Sequence, residues 1–125
     1  GPYKRPVHTI IPAMISKNGK LLGSFGVMGG QYQAAGHAYV LSQMIDFGLN
    51  PQLALNYPRI FPNNNILDIE KGFDKEVVDE LQSRGHAINY PSLPIGGGQM
   101  ILIDEDRGVL IGASDWRKDG LAIGY

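Results

Sequence analysis

The strongest constraint on the fold is an Asn-Gly pair, Asn18-Gly19, which separates two apolar runs at residues 9–16 and 21–27. Both residues of the pair accept the positive φ of a two-residue hairpin turn, so the runs are predicted to be antiparallel strands. The first run is apolar on both alternating faces, which predicts a strand covered by another layer on each side. Pro12 lacks a ladder donor, which places this strand at a sheet edge or at a bulge.

Three helices are predicted after the hairpin. The first covers residues 31–47, where apolar residues recur at helical spacing, and it is expected to be mostly buried. The second begins with Asn50 as cap and Pro51 at its first position and ends near residue 56. The third covers residues 74–85 and is expected to be an amphipathic, solvent-facing helix. The apolar stripe of the first helix consists of Ala34, Ala38, Leu41 and Ile45, and Val40, Met44 and Phe47 lie beside it.

Three further strands are predicted at residues 66–69, 99–103 and 109–113. The resulting order, β-β-α-α-β-α-β-β, lacks the strict alternation of a parallel doubly wound sheet. We therefore expect an α+β fold in which helices pack against an antiparallel sheet. A length of 125 residues with 43% hydrophobic content predicts a single domain, residues 1–125, or a piece of one.

Composition narrows the functional classes. Eleven basic and twelve acidic residues give a formal net charge of -1, so a nucleic-acid partner is not expected. The absence of cysteine excludes thiolate metal sites and a cysteine nucleophile. No apolar run reaches the roughly 20 residues of a membrane span. The three histidines, His8, His37 and His86, are not at ligand spacing, so neither a metal site nor a cofactor is expected.

The candidate for chemistry is the glycine pair Gly29-Gly30, where the second strand meets the first helix. The first amides of a helix have no internal partner and lie at the positive end of its dipole, and glycine lets a ligand approach them closely. No Gly-Lys-Ser/Thr follows, and the spacing is not that of a dinucleotide fingerprint, so a nucleotide site is not expected. Two interpretations stay open: an anion-binding turn, or a tight connection without a ligand.

Two polar segments are the other candidates. His8 and Thr9 stand at the head of the first strand, where they either contact a ligand or are solvated as an ordinary strand end. The charged residues of "SDWRKDG" predict a salt-bridged turn in which Trp116 is a packing residue. The charged residues of that turn are Asp115, Arg117, Lys118 and Asp119.

Several motifs together resemble the C-terminal part of the small subunit of γ-glutamyltransferases, also called γ-glutamyltranspeptidases. They are "GPYKRP", the Gly-Gly pair, "DFGLNPQLALNYPRI", "GHAI" and "GASDWRKDGLAIGY", and they extend over essentially the whole chain. The better-known transpeptidases have Ser-Ser at His8-Thr9 and Ser-Pro at Val27-Met28. These departures resemble a divergent branch that includes cephalosporin and glutaryl acylases.

The resemblance implies an N-terminal nucleophile hydrolase with an αββα sandwich. Members of that family cleave themselves into a large and a small subunit, and the new N-terminal threonine of the small subunit attacks a γ-glutamyl amide such as that of glutathione. The motif that contains this threonine lies upstream of the segment that this chain matches. By resemblance, Gly29 and Gly30 form the oxyanion hole, and His8 and Thr9 occupy the positions that bind the substrate carboxylate.

The resemblance also implies partners. The chain is expected to be inactive alone, to combine with the upstream part of the small subunit and with the large subunit, and to self-associate when isolated. Export is the family tendency, but the sequence leaves the compartment open. The alternatives are a fold remnant that acts in binding or assembly without catalysis, and a domain that binds a small anion at residues 29–31.

Overall fold

The computed structural model of the chain describes residues 1–124, and these form seven strands, three α-helices and one 3-10 turn. The α+β prediction is confirmed. Within these residues no helix is both long and apolar enough to cross a bilayer. The strands are β1 (Ala13–Lys17), β2 (Lys20–Met28), β3 (Ile60–Asn63), β4 (Ile66–Ile69), β5 (Ala87–Asn89), β6 (Gly97–Asp104) and β7 (Val109–Ser114). The helices are α1 (Tyr32–Ile45), α2 (Pro51–Asn56) and α3 (Lys75–Ser83), and the 3-10 turn is Trp116–Lys118.

The main sheet has the strand order β1-β2-β6-β7 and is antiparallel throughout. The predicted hairpin joins β1 to β2, with positive φ at Asn18 and Gly19. β1 is an edge strand, as Pro12 predicted. However, residues 9–12 lie outside it, because pairing begins at Ala13 and Pro12 has no N–H to extend the ladder. The register irregularity follows Ile15 rather than Pro12.

One face of the main sheet is covered by α1 and α2. Inward-pointing side chains of β2, β6 and β7 interdigitate with those of the two helices and form a continuous apolar core. The buried members of this core are Phe25, Val27, Tyr32, Val40, Ala54, Leu55, Met100 and Ala113. The core therefore lies directly behind the end of β2 that leads into α1.

The opposite face of the main sheet is open in the described residues. Met14, Met28, Ile101 and Leu110 lie on this face with exposures of 73%, 54%, 53% and 69%. Cross-strand pairing places them on one side, since Met14 is opposite Ser24 and Ser24 is opposite Ile101. The prediction that β1 is covered on both sides is thus wrong for this chain on its own.

The buried side of α1 differs from the predicted stripe. Its buried residues are Tyr32, Gly36, Val40 and Gln43, whereas Ile45 is 73% exposed. The aromatic ring of Tyr32 packs so closely over Gly36 that a Cβ there would lie 2.6 Å from it, so the buried face of the helix includes this glycine. The expectation of a mostly buried helix is wrong, because only one face of α1 packs on the sheet.

A second sheet, with the order β3-β4-β5, was not predicted. β3 and β4 are antiparallel, and α3 connects β4 to β5, which run parallel. The predicted strand at residues 66–69 is confirmed as β4, but β3 and β5 were missed because β3 contains Pro62 and β5 has three residues. α2 is also confirmed, and the Asn50 side chain accepts a capping bond of 2.9 Å from the Leu53 amide.

Candidate active site

The turn between β2 and α1 has an unusual backbone conformation. Gly29 has φ +135° and Gly30 has φ +58°, values that side-chain-bearing residues rarely adopt. Their carbonyls face the helix, since Gly29 accepts from the Tyr32 amide and Gly30 from the Gln33 amide, each at 3.1 Å. Within residues 1–124 the amides of Gly29 and Gly30 donate to no acceptor. These two donors are therefore available to a ligand.

An open cleft of about 750 Å³ runs beside this turn along the uncovered face of the sheet. Its walls are residues 9–12, the end of β2, the glycine turn and the first half of β6. None of the side chains in the described wall carries a formal charge. Within this described lining, the groups available to a negative oxygen are main-chain dipoles rather than cationic side chains.

The structure places the two predicted substrate-binding residues differently. Thr9 lines the cleft, and its carbonyl accepts a 2.9 Å bond from Gln33 Nε2, which also donates to the Gly30 carbonyl at 3.2 Å. Gln33 thus connects the entering segment to the glycine turn, a role that sequence reasoning missed. His8 is exposed and is not part of the described cleft wall. The substrate-binding roles of His8 and Thr9 stay predictions.

His37 supports the same region from inside the protein. Its Nδ1 lies 2.7 Å from the Gln33 carbonyl, and its Nε2 accepts a 3.4 Å bond from the Val27 amide. Nδ1 is consequently the protonated nitrogen, because a carbonyl can only accept. The ring also packs on Phe25 at a centroid separation of 5.0 Å. His37 therefore joins α1 to the last part of β2.

A buried cluster of four charged side chains lies on the helix-covered side of the sheet. Arg59 Nη2 contacts Asp115 Oδ2 at 2.5 Å, and Arg117 contacts Asp115 Oδ1 at 3.1 Å and Glu70 Oε2 at 2.5 Å. The predicted salt-bridged turn is thus partly right for Asp115 and Arg117. Arg59 and Glu70 were missed because they are 56 and 47 residues from their partners, beyond the reach of any local pattern.

The neighbours of this cluster differ from the prediction. Trp116 is 59% exposed and covers the Arg117 guanidinium at 5.0 Å from its ring centroid, so its assignment as a packing residue is wrong. Burial lowers the pKa of Arg117, but the hydrogen bond and charge of Glu70 and the charge of Asp115 outweigh it and raise the pKa above its ordinary value. Arg117 therefore stays charged.

Tyr32 lies between the glycine turn and the charged cluster. Its ring packs edge-on against Phe61 at 5.4 Å, and the Arg59 guanidinium lies 5.7 Å from its centroid. Its hydroxyl is buried and has no hydrogen-bond partner in the part of the chain that the structure describes. Burial raises the pKa of Tyr32 to about 12, so the phenol is neutral under ordinary conditions.

The sequence matches the family model described as gamma-glutamyltranspeptidase over residues 1–125. The chain belongs to the γ-glutamyltranspeptidase family. This match includes Tyr125, the last residue of the predicted C-terminal motif, which lies outside the residues that the structure describes. The family assignment made from the sequence motifs is confirmed.

Individual relatives of the chain have names of two kinds, glutathione hydrolase and acylase. The chain is 33% identical to the glutathione hydrolase-like YwrD proenzyme of Bacillus subtilis, over 98% of this chain and 25% of the relative. It is 34% identical to the glutathione hydrolase proenzyme of Escherichia coli, over 100% of this chain and 22% of the relative. The crystal structure of cephalosporin acylase from Bacillus halodurans is 41% identical and superimposes with a TM-score of 0.84, over 94% of this chain and 23% of that chain.

The chain spans about a quarter of the length of the curated relatives that it matches. The structural similarity confirms the predicted fold as part of an N-terminal nucleophile hydrolase. In this γ-glutamyltranspeptidase family member, the described residues bring together two unbonded backbone donors, a helix N-terminus and an uncharged cleft. Such an arrangement can stabilise a negative oxygen.

Proposed function

We propose that this chain supplies the oxyanion-binding part of a γ-glutamyltransferase-like acyl transferase or amidohydrolase. The observation that carries the proposal is the pair of amides at Gly29 and Gly30, which have no internal acceptor and lie in the wall of the cleft. They precede α1, so the positive end of its dipole adds to their attraction for an anion. Residues 1–125 are then the C-terminal part of a longer catalytic subunit.

The proposed chemistry is acyl transfer through a threonine supplied by the upstream part of the protein. The threonine Oγ forms a bond to the amide carbonyl carbon while its proton passes to the threonine α-amine, and the carbonyl electron pair moves to oxygen. The Gly29 and Gly30 amides donate to that oxygen. Collapse breaks the C–N bond, the leaving amine takes up the proton, and water or an amino acid then accepts the acyl group.

Preorganised amides make a large contribution in this kind of reaction. Removal of one oxyanion donor costs about 10²–10³ in kcat, or roughly 3–4 kcal/mol. The fixed φ values of Gly29 and Gly30 orient the donors before the substrate arrives. Because this chain contributes donors but no nucleophile in the proposed scheme, we expect it to be inactive alone.

The acyl donor is proposed to be a γ-glutamyl amide such as glutathione or a related acyl amide of the kind that acylases cleave. Relatives with both kinds of name are similar to this chain. His8-Thr9 stands where the better-known transpeptidases have two serines, and the described cleft wall offers no cation for a substrate carboxylate. A simple acyl group that has no carboxylate is therefore a competitor of γ-glutamate, whereas a glutaryl group keeps the carboxylate and lacks only the α-amine.

The test compares Gly30→Ala with Gly48→Ala in the full-length protein. Both glycines have similar positive φ, +58° and +69°, and a Cβ on either meets nothing within 4 Å, so the two changes impose similar backbone strain. Only Gly30 lies at the cleft. Alanine keeps the main-chain donor, but at Gly30 it adds a methyl group at the cleft wall, where the anion must approach. We therefore expect Gly30→Ala to lower kcat at least tenfold on γ-glutamyl-p-nitroanilide or glutaryl-p-nitroanilide, with Gly48→Ala near the wild-type value. Equal kcat in both variants would remove the oxyanion assignment.

One observation favours a second function, assembly without catalysis. The open apolar face of the main sheet is a surface suited to a partner whether or not the cleft is catalytic. On this alternative, the full-length protein turns over neither amide, but still forms a stable complex between this chain and the upstream part. Turnover of either substrate by the wild type excludes it.

A further inference from the structure

The glycine turn packs directly against a second glycine segment, residues 96–98, at the start of β6. A Cβ built on Gly29 would lie 2.9 Å from Gly96 Cα. A Cβ built on Gly96, which has φ +65°, would lie 2.5 Å from the Met28 carbonyl oxygen and 2.8 Å from the Tyr32 ring. The two backbones are thus in contact with no space for a side chain, so the position of one fixes the position of the other.

Buried charges hold both ends of this second segment. The Ile95 carbonyl accepts a 2.7 Å bond from Arg59 Nη1, and the Ile95 amide donates to Glu70 Oε1 at 2.8 Å. The Gly98 amide donates to Asp115 Oδ2 at 2.9 Å, and the Gly98 carbonyl accepts from the Asp115 amide at 3.0 Å. Four bonds therefore fix the residues on either side of Gly96 and Gly97.

The cluster that makes these bonds is buried and electrically balanced. Its two arginines and two carboxylates cancel in formal charge, and Arg117 bridges Glu70 to Asp115. The side chains of Arg59, Arg117 and Asp115 are at most 1% exposed. A paired buried cluster of this kind has one well-defined arrangement, because displacement of any member leaves a charge without compensation.

We infer that Gly96 is a positioning residue for the oxyanion-binding amides, held in place by the Arg59–Asp115–Arg117–Glu70 cluster. The inference rests on the proposed function. Gly96 touches no reacting atom in this scheme; it acts through its contact with Met28 and Gly29 at the turn. Catalysis by preorganised donors is sensitive to placement, since a displacement of about 1 Å can cost 10²-fold in rate.

The test compares Gly96→Ala with Gly108→Ala in the full-length protein. Both glycines have φ +65°, so alanine causes the same backbone strain at each, but a Cβ on Gly108 meets nothing within 4 Å. We expect kcat for Gly96→Ala to fall at least tenfold below that of Gly108→Ala while KM changes less than threefold. A purely structural role would lower the melting temperature or the yield of active protein without this separation of kcat from KM.

Hydrogen exchange provides a readout that does not need activity. The amides of Tyr32 and Gln33 are bonded to the Gly29 and Gly30 carbonyls, so a displaced turn exposes them to exchange. We expect at least tenfold faster exchange at these two amides in Gly96→Ala than in Gly108→Ala. Equal exchange together with equal kcat in the two variants overturns the inference.

If Gly96→Ala does not fold, Arg59→Lys tests the same contact. A lysine ammonium retains the charge beside Asp115 but lacks the planar fork that reaches both Asp115 and the Ile95 carbonyl. We expect exchange at Tyr32 and Gln33 to rise at least threefold, and wild-type exchange in folded Arg59→Lys would overturn the inference.

A wild type that cleaves no amide refutes the proposed function, whereas an active wild type with an unaffected Gly96→Ala variant refutes only the positioning role.

Discussion

The two faces of the main sheet differ in what covers them. Behind the sheet, α1 and α2 bury an apolar core, and the charged cluster is buried on the same side. In front, large apolar side chains of β1, β2, β6 and β7 are exposed beside the cleft. The same four strands therefore have one face that is packed against helices and one face that this chain leaves uncovered.

The difference indicates how the protein divides structural and chemical roles. The covered face holds the backbone in place, through Tyr32 and Arg59 behind the glycine turn. On the open face, Gly29 and Gly30 line the cleft, and their amides have no acceptor within the described residues. Rigid support on one side with available donors on the other is the arrangement that preorganised catalysis needs.

The largest expected effect is on the covered side. Asp115→Ala leaves the buried guanidinium groups of Arg59 and Arg117 without their shared carboxylate, and we expect it to lower the free energy of unfolding by about 3–5 kcal/mol. The matched control is Glu105→Ala, which breaks an exposed ion pair with Lys20 and should cost less than about 1 kcal/mol. Urea unfolding measures both. Similar losses in the two variants would mean that the cluster does not stabilise the covered face.

An intermediate effect is expected on the open side. Isolated 1–125 chain should self-associate through the apolar face, and the double change Ile101→Lys with Leu110→Lys should weaken that association at least tenfold, about 1.4 kcal/mol. Sedimentation velocity over a concentration series measures it. The control is Val77→Lys, a partly exposed position on α3 away from this face. Equal weakening by the control, or a monomeric wild type, would contradict the assignment.

The smallest effect concerns the residue between the two sides. Tyr32→Phe removes a buried hydroxyl that has no partner in the described residues, so we expect a change within about 1 kcal/mol, toward greater stability. Burial raises the pKa of Tyr32 from 10.0 to about 12. The stability that the folded state gains by keeping this phenol neutral is therefore fully present below pH 10 and is lost as the pH rises through 12. Thermal unfolding across this range should show that loss in the wild type and a smaller one in Tyr32→Phe.

Short sequence patterns predicted the elements whose backbone conformation depends on neighbouring residues. The Asn18-Gly19 turn requires positive φ, and the Asn50-Pro51 pair supplies a cap and a first helical position, so both features were found. The buried side of α1 was found only in part: Val40 and Leu41 were expected near it, but the contact of Tyr32 with Gly36 is tertiary and leaves no local pattern. β3 was not predicted because Pro62 argues against a strand, and the strand becomes apparent only from its pairing with β4.

In the candidate site, too, features with a local sequence pattern were predicted and features that depend on long-range contacts were not. The glycine turn was located correctly from the strand-to-helix junction, although its catalytic role stays a proposal. The charged cluster was seen only at Asp115 and Arg117, since nothing near Arg59 or Glu70 marks either as a partner. The support from Gly96 was invisible for a similar reason, because "IGGGQ" by itself indicates only a flexible loop.

The hairpin turn has a practical consequence. Asn18 and Gly19 lie at the end of β2 opposite to Met28, and a nine-residue strand is about 27 Å long at roughly 3.4 Å per residue. Its tip is exposed, and exposed loop tips of small polar residues tolerate insertions. A fluorophore or affinity handle inserted there would report on assembly while remaining remote from the glycine turn.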